Sequence, residues 1–309
     1  KTEEKEYFSE QPWYNTIVAP SNMGGESSPA TTPHDLALQW VYGFRSIDCR
    51  RTAVYVKGNE LTYVSGNLLI LYNQGEHKQR HGRGHPTDIV SLATSPDGDM
   101  IATGDIGARP RIVIWDSRSL RKIRTTQGFH RNAVRHLSFS PDASLLLSVG
   151  QDVAHTIAIW DLSSGDLRAS VRGGDSLVFD AIFTPDSRGF CSVGVQHIKF
   201  HEIRGRNIAT KKGIIGHEKQ ALLQTFLTVG YAGEFAVAGT TDGCLYKFDG
   251  RNLETVVKEA HDGLINTIFT GEDRIITGGY DGKVKVWSSP DLDVVAEFDL
   301  IKLGCFSPI

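Results

Sequence analysis

Four histidines are the residues of this sequence whose type and regular placement could support chemistry. His85, His130, His217 and His261 precede an aromatic residue by 30, 30, 31 and 26 positions. Imidazole nitrogens ligate metal ions and move protons near neutral pH, so a histidine cluster would indicate a metal site or acid–base catalysis. Each of these histidines occupies the same position of a repeated pattern, however. That placement favours a repeated structural hydrogen bond over metal binding.

The sequence lacks the short motifs that identify common catalytic sites. It has no Gly-x-Ser-x-Gly nucleophile elbow, and His217-Glu218 is not followed by the second histidine of a zinc-protease helix. Gly282-Lys283 lacks both the first glycine and the Ser or Thr of a phosphate-binding loop. The four cysteines form no Cys-x-x-Cys pair. We therefore predict no enzyme, no cofactor and no metal. A hydrolase built from carboxylates distant in sequence is an alternative hypothesis.

Composition narrows the class of protein. The 309 residues are 40% hydrophobic and 22% charged, with a net charge of −3, which argues against a dedicated nucleic-acid binder. The longest apolar runs, such as Leu68 to Tyr72, are far too short to cross a bilayer, so no membrane partner is predicted. Few cysteines and no glycosylation sequon indicate a reducing, intracellular compartment. The frequent glycines and prolines predict short strands joined by tight turns.

The run from Gly278 to Trp287 shows the unit of an internal repeat: an Asp-Gly turn, alternating Val and Lys, and a final aromatic residue. This pattern is typical of a β-hairpin with one buried face. Comparable runs end at Trp115, Trp160, Phe200, Phe248 and Trp287, in steps of 45, 40, 48 and 39 residues. A period of roughly 40–45 residues with a terminal Trp-Asp is the signature of a WD40 blade.

The repeats predict an all-β fold, a WD40-type β-propeller that is incomplete in this chain. About five blades are predicted within residues 77–309, at 77–116, 121–161, 166–204, 208–249 and 255–288. Residues 305–308 resemble the start of a further blade, and residues 1–35 are interpreted as an arm and linker. Because the chain starts at Lys1 and not at Met, we expect it to be an internal piece of a longer chain.

In WD40 blades the repeated histidine bonds toward the aspartate of the following turn, and the terminal tryptophan packs the blade. Asp242 and Asp281 fit the aspartate position, whereas Asp152 fits it less well. The segments 105–111 and 152–156 are interpreted as insertions before a last strand. The residues predicted to have this structural role are His85, Trp115, His130, Trp160, His217, Asp242, His261, Asp281 and Trp287.

The segment before the repeats carries a more specific resemblance. Its residues Trp40, Tyr42, Gly43, Arg45, Asp48, Cys49 and Arg50 resemble the HELP motif of the echinoderm microtubule-associated protein (EMAP)-like family. The resemblance implies that residues 36–76 are integrated in the propeller and supply strands to it. It also implies tubulin and microtubules as partners, with other cytoskeletal or axonemal proteins, in the cytoplasm, the cytoskeleton or a ciliary axoneme.

Basic clusters are the candidate contacts for an acidic microtubule surface, because opposite charges speed association and make it sensitive to salt. The predicted contacts are Lys78, Arg80, Arg83, Arg204, Arg206, Lys211 and Lys212. The competing interpretation is that both clusters are solvated turns. The alternative function is that of an adaptor that scaffolds a ciliary or signalling complex without binding tubulin directly.

Overall fold

The computed structural model describes residues 37–46, 48–216, 222–271, 273–289 and 291–304. The chain divides into two compact units, Lys1–Tyr42 and Gly43–Ile309. In the first unit, the described residues 37–42 form no strand, and the ring centroids of Trp40 and Tyr42 lie 6.3 Å apart. The predicted arm, the predicted blade residue His217 and the predicted start of a further blade lie outside the described residues.

The second unit is an array of four-stranded antiparallel sheets and, in its described residues, contains no helix, which confirms the all-β prediction. The first sheet contains β1 (Ala53–Val56), β2 (Glu60–Ser65), β3 (Leu68–Asn73) and β4 (Lys78–Arg83). The second contains β5 (Ile89–Thr94), β6 (Met100–Gly107), β7 (Arg111–Asp116) and β8 (Lys122–Gln127). The third contains β9 (Asn132–Phe139), β10 (Leu145–Gly150), β11 (Thr156–Asp161) and β12 (Leu167–Arg172).

Three further sheets follow in chain order. The fourth contains β13 (Val178–Phe183), β14 (Gly189–Gly194), β15 (His197–Arg204) and β16 (Asn207–Lys212). The fifth contains β17 (Phe226–Ala232), β18 (Phe235–Thr240), β19 (Leu245–Asp249) and β20 (Asn252–Val257). The sixth contains β21 (Ile265–Thr270), β22 (Arg274–Gly279), β23 (Lys283–Ser288) and β24 (Val294–Asp299). Within each sheet the strands pair in the order of the chain, and a short bridge from β6 to β9 joins the second sheet to the third.

The turn between the first two strands of a sheet follows from its Ser/Thr-Pro-Asp sequence. The hydroxyl of Ser140 accepts a 2.9 Å hydrogen bond from the N–H of Leu145 and donates to the carboxylate of Asp142. The hydrogen bond from Ser140 is the main reason why the pKa of Asp142 falls to about 2. Ser95 and Thr184 hold the corresponding turns in the same way. These local bonds fix where each hairpin reverses.

Successive sheets pack face to face through separate hydrophobic cores, one between each pair of neighbours. Between the first and second sheets, for example, Leu69 and Leu71 pack with Ile89, Val113 and Trp115. Equivalent cores lie between the second and third, third and fourth, fourth and fifth, and fifth and sixth sheets. The first strands of neighbouring sheets, β5, β9, β13, β17 and β21, lie against one another. They therefore surround a common axis, as the blades of a propeller do.

The sheets are offset by one strand from the units seen in the sequence. The unit at 77–116 begins with β4, which pairs with β3 and completes the first sheet. In the same way β8, β12, β16 and β20 each lie at or across the start of a sequence unit but form the last strand of the preceding sheet. Because each repeat contributes to two sheets, the chain itself links neighbouring blades.

Candidate functional site

A buried hydrogen-bond relay occupies the predicted histidine position of the second sheet. The indole N–H of Trp115 donates to the hydroxyl of Thr103 over 2.7 Å, and that hydroxyl lies 2.7 Å from Nε2 of His85. Nδ1 of His85 lies 2.9 Å from a carboxylate oxygen of Asp105. All donors are satisfied when Thr103 donates to Nε2 and His85 donates from Nδ1 to Asp105. The relay joins β6 and β7 to the loop between β4 and β5, and it leaves the imidazole closed to solvent.

The sixth sheet repeats the same relay with its predicted residues. Trp287 donates to the hydroxyl of Thr277 over 2.8 Å, and that hydroxyl lies 2.7 Å from Nε2 of His261. Nδ1 of His261 lies 3.0 Å from Asp281, which also accepts the backbone N–H of Lys283 at 3.1 Å. The aspartate therefore holds both the histidine and the turn between β22 and β23. The geometry matches a structural role for these residues.

The third sheet carries a modified relay. Trp160 donates to Ser148 over 2.8 Å, and Ser148 lies 2.6 Å from Nε2 of His130. Nδ1 of His130 lies 3.2 Å from the hydroxyl of Thr156 and 3.8 Å from Asp152. The hydroxyl of Thr156 bonds to Asp152 in turn. A hydroxyl is therefore inserted between the histidine and its aspartate, which explains the weaker match of Asp152 to the repeat.

Two members of these relays were not predicted from the sequence. Asp105 was interpreted as the start of an insertion, yet it is the partner of His85. The central hydroxyl was also missed, although a Thr or Ser stands 12, 12 and 10 residues before Trp115, Trp160 and Trp287. That recurring hydroxyl is the signal that could have identified the relay. Asp242, whose predicted partner is outside the described residues, accepts a 2.7 Å hydrogen bond from Gln224.

An ion pair at the propeller axis joins the segment before β1 to the fourth and fifth sheets. The guanidinium of Arg51 lies 2.9 Å from Oδ2 of Asp180 on β13. Oδ2 also accepts the hydroxyl of Thr228 and the N–H of Val229 on β17, each at 3.0 Å. Burial alone would raise the pKa of Asp180, but the charge of Arg51 and these two donors hold it below its usual range. The carboxylate therefore stays ionised although it is buried.

Arg50, beside Arg51, reaches a different set of groups at the axis. Its guanidinium donates to the carbonyl of Leu227 over 2.7 Å and lies 5.4 Å above the ring centroid of Phe179. Nε2 of the buried His136 donates to a backbone carbonyl on β13 and lies 3.2 Å from Asp180. Burial is the main cause that lowers the pKa of His136, so the imidazole is neutral at pH 7.

The remaining described HELP-motif residues form a turn before these arginines. Arg45 makes a bidentate pair with Asp48, at 2.8 and 2.6 Å, and a second 2.6 Å pair with Asp88. The hydrogen bond with Asp48 is the largest cause that raises the pKa of Arg45. Cys49 donates to Asp48 over 3.3 Å, and burial is the main cause that raises its pKa to about 11. Gly43 adopts a φ of 79°, in the left-handed region that favours glycine.

An open cavity lies beside Arg50 and Arg51 at the propeller axis. Its volume is about 580 Å³, and its wall comes from the segment before β1 and from β5, β9, β13 and β21. We call it the axial cavity. The polar residues that line it include Asp48, Arg50, Arg51, Arg135, His136 and Asn266. Among the described residues, neither Arg50 nor Arg135 has a carboxylate within ion-pair distance.

The structure divides the first predicted basic cluster, on β4, into different environments. Lys78 is exposed and pairs with the exposed Glu76 at 3.1 Å, which contributes little. Arg80 instead pairs with Glu60 and donates to a carbonyl in the turn after β7, so it ties the first sheet to the second. Arg83 is exposed and has no ion pair in the part of the chain that is described.

The second predicted basic cluster lies on one hairpin, formed by β15, β16 and the turn between them. Arg204 pairs with Glu202 at 2.8 Å on the surface. The exposed Arg206, Lys211 and Lys212 have no carboxylate within ion-pair distance among the described residues. Because this hairpin is in the fourth sheet and β4 is in the first, two other sheets separate the clusters along the chain. The structure does not unite them in one sheet or in neighbouring sheets.

In the described residues, no group of three or more His, Cys, Asp or Glu side chains is placed to hold a metal ion. The same residues include no helix that could span a bilayer.

Two family models match this chain. The model described as the first β-propeller of echinoderm microtubule-associated protein matches residues 78–304, and the HELP-motif model matches residues 32–70. The boundary between them falls before β4. Together the matches confirm the resemblance that residues 40–50 indicated.

Individual relatives agree with these models. The chain is 32% identical over 273 residues to human echinoderm microtubule-associated protein-like 2, and 29% identical over 268 residues to human echinoderm microtubule-associated protein-like 1. Each match covers 82% of this chain. The Xenopus laevis protein named echinoderm microtubule-associated protein-like 4 is 28% identical over an alignment of 317 residues that covers 92% of this chain. The chain spans only 41%, 33% and 34% of these three relatives.

A solved structure supports the fold. The β-propeller domain of Cps50 (Swd1) from Myceliophteria thermophila aligns with a TM-score of 0.61 and 20% sequence identity. The alignment covers 69% of this chain and 73% of that one. The prediction of a β-propeller is confirmed.

Proposed function

The chain belongs to the echinoderm microtubule-associated protein-like family, and from this premise we propose that it is a non-catalytic propeller scaffold that binds tubulin in microtubules. The proposed place of action is the cytoskeleton, with the axoneme of a cilium as one microtubule population. Family membership supports this class of partner. The relatives are named for microtubule association, and this chain corresponds to their first propeller and HELP motif.

The observation that carries the proposal is the set of uncompensated cations on the β15–β16 hairpin. Arg206, Lys211 and Lys212 are exposed, and the described residues place no carboxylate within ion-pair distance of them. Lys211 and Lys212 are neighbours on β16, so their side chains leave opposite faces of the strand. Because β16 is the last strand of its sheet, both still reach solvent. A positive edge of this kind complements an acidic protein surface.

The first predicted cluster has a smaller part in this proposal. Arg80 is engaged with Glu60 and with the turn after β7, so we assign it to the contact between the first two sheets. Lys78 and Arg83 are the exposed cations that β4 could offer to a partner. We therefore propose the β15–β16 hairpin as the principal contact and the exposed residues of β4 as a secondary one.

Co-sedimentation with assembled microtubules tests the proposal. We expect the chain to pellet with microtubules at about 50 mM salt and to be released progressively toward about 200 mM, because exposed charges are screened at higher ionic strength. A β-propeller of similar net charge from an unrelated family is the control. Pelleting no greater than that of the control would contradict direct tubulin binding and favour an adaptor that binds another protein.

A further inference from the structure

The axial cavity holds more positive charge than its own carboxylates balance. Asp48 is paired with Arg45, and Asp180 is paired with Arg51. Arg50 and Arg135 also line the cavity, and in the described part of the chain neither has a carboxylate within ion-pair distance. Two guanidinium groups around one space therefore form no ion pair with the described residues.

The two guanidinium groups are held differently. Arg50 is fixed between the carbonyl of Leu227 and the ring of Phe179, although its residue surface remains exposed to the cavity. Arg135 is exposed, and it donates a long hydrogen bond, 3.4 Å, to the carbonyl of Asp48. One donor is thus fixed in place and the other can adjust. Guanidinium groups with free N–H donors are the preferred protein partners of phosphate and carboxylate oxygens.

Repulsion between the arginine charges also favours an anion in the axial cavity. Partial burial is the first cause that lowers the pKa of Arg50, and the nearby charges of Arg51 and Arg135 lower it further against the opposing effect of Asp180. A bound anion would relieve this repulsion and the loss of hydration together. The free propeller therefore keeps an electrostatic cost in this cavity that a ligand of opposite charge can remove.

The geometry points to the axial cavity as a binding site for a small polyanion, an organic phosphate or a polycarboxylate, whose oxygens bond to Arg50 and Arg135. The volume of about 580 Å³ is in the range of small-molecule sites and exceeds the space that one simple anion fills. Asn266 in the same wall offers a further polar contact. The site is distinct from the β15–β16 hairpin and does not depend on tubulin binding.

Calorimetric titration of the chain with pyrophosphate, and separately with citrate, tests this site in the absence of microtubules. We expect at least one of the two probes to bind with a Kd below about 1 mM at low salt. Arg135→Gln is expected to weaken that binding about tenfold, because one charge-assisted contact is lost. Binding of pyrophosphate alone would assign a ligand that carries phosphate groups, and binding of citrate alone would assign a polycarboxylate.

Arg168→Gln is the matched control, because Arg168 is an exposed arginine on β12, the last strand of its sheet. Its probe affinity should remain within about twofold of the parent. Arg50→Gln should weaken binding as Arg135→Gln does, but Arg135→Gln is the more direct test because Arg135 has the weaker structural contact. The assignment is overturned if neither probe binds, or if Arg135→Gln binds both probes as tightly as the parent.

Discussion

Arg51 and Asp180 are 129 residues apart in the chain, and their side chains meet at 2.9 Å on the propeller axis. The same guanidinium lies 3.2 Å from the hydroxyl of Thr228 and 3.4 Å from the carbonyl of Ile268. One side chain from the segment before β1 thus contacts the fourth, fifth and sixth sheets. The HELP motif therefore contributes the Arg51 contacts at the axis in addition to the strands that follow it.

Removal of the ion pair between Arg51 and Asp180 should destabilise the propeller. We expect Arg51→Met to lower the free energy of unfolding by about 3 kcal/mol, because Asp180 would remain buried and ionised without its counter-charge. Urea unfolding followed by tryptophan fluorescence measures the change. In an Asp180→Asn background the same substitution should cost about 1 kcal/mol, since no buried charge is stranded. Equal costs in the two backgrounds would contradict a direct ionic coupling.

The hydroxyl of the Trp115–Thr103–His85 relay should matter more than its size suggests. Thr103→Val keeps the shape of the side chain but leaves the indole N–H and Nε2 of His85 buried without a partner. We expect a loss of about 2–4 kcal/mol in unfolding free energy. Thr125→Val on the exposed face of β8 is the control and should change stability by less than about 0.5 kcal/mol. Similar losses in both variants would contradict the relay.

His201 should make the propeller sensitive to mild acid. Burial, then the charges of Lys199 and His197, lowers its pKa to about 3, while the unfolded imidazole protonates near pH 6.5. Between these values the unfolded chain binds one more proton than the folded chain, so stability falls as the pH drops. Between pH 7 and pH 5 we expect the unfolding free energy of His201→Gln to fall by about 2 kcal/mol less than that of the parent.

Unfolding free energies at the two pH values measure this difference. His77→Gln is the control, because His77 is exposed in the turn between β3 and β4. Only the change between the two pH values is compared, so a constant cost of the substitution cancels. If His201→Gln and the parent respond to acid alike, the buried imidazole is not the source of the acid sensitivity.

Local and repeated features of this fold could be predicted from the sequence. The alternation of Val and Lys up to Trp287, the Ser-Pro-Asp turns and the 40-residue period are short-range patterns, and they predicted strands that the structure contains. The sequence pattern does not reveal which sheet a strand joins, since β4 belongs to a repeat unit at 77–116 yet pairs with β3. The structure shows that β4 forms a hairpin with the strand directly before it.

Contacts between distant residues could not be predicted. Nothing near Arg51 in the sequence indicates Asp180 as its partner. Arg80 was interpreted as a partner contact, whereas its pairing with Glu60 depends on how β2 and β4 lie in the first sheet. Both cases show that the role of a charged side chain depends on the sheet array and not on its sequence neighbours.

The charge-reversal variant Lys211→Glu/Lys212→Glu tests most directly whether the β15–β16 hairpin binds microtubules. Arg121→Glu/Lys122→Glu is the matched control, because it reverses the same number of exposed charges at the start of the last strand of the second sheet. We expect the hairpin variant to pellet with an apparent Kd raised about fivefold or more at about 50 mM salt, and the control to stay within about twofold of the parent. Equal pelleting of the parent and both variants would contradict the assignment of the hairpin.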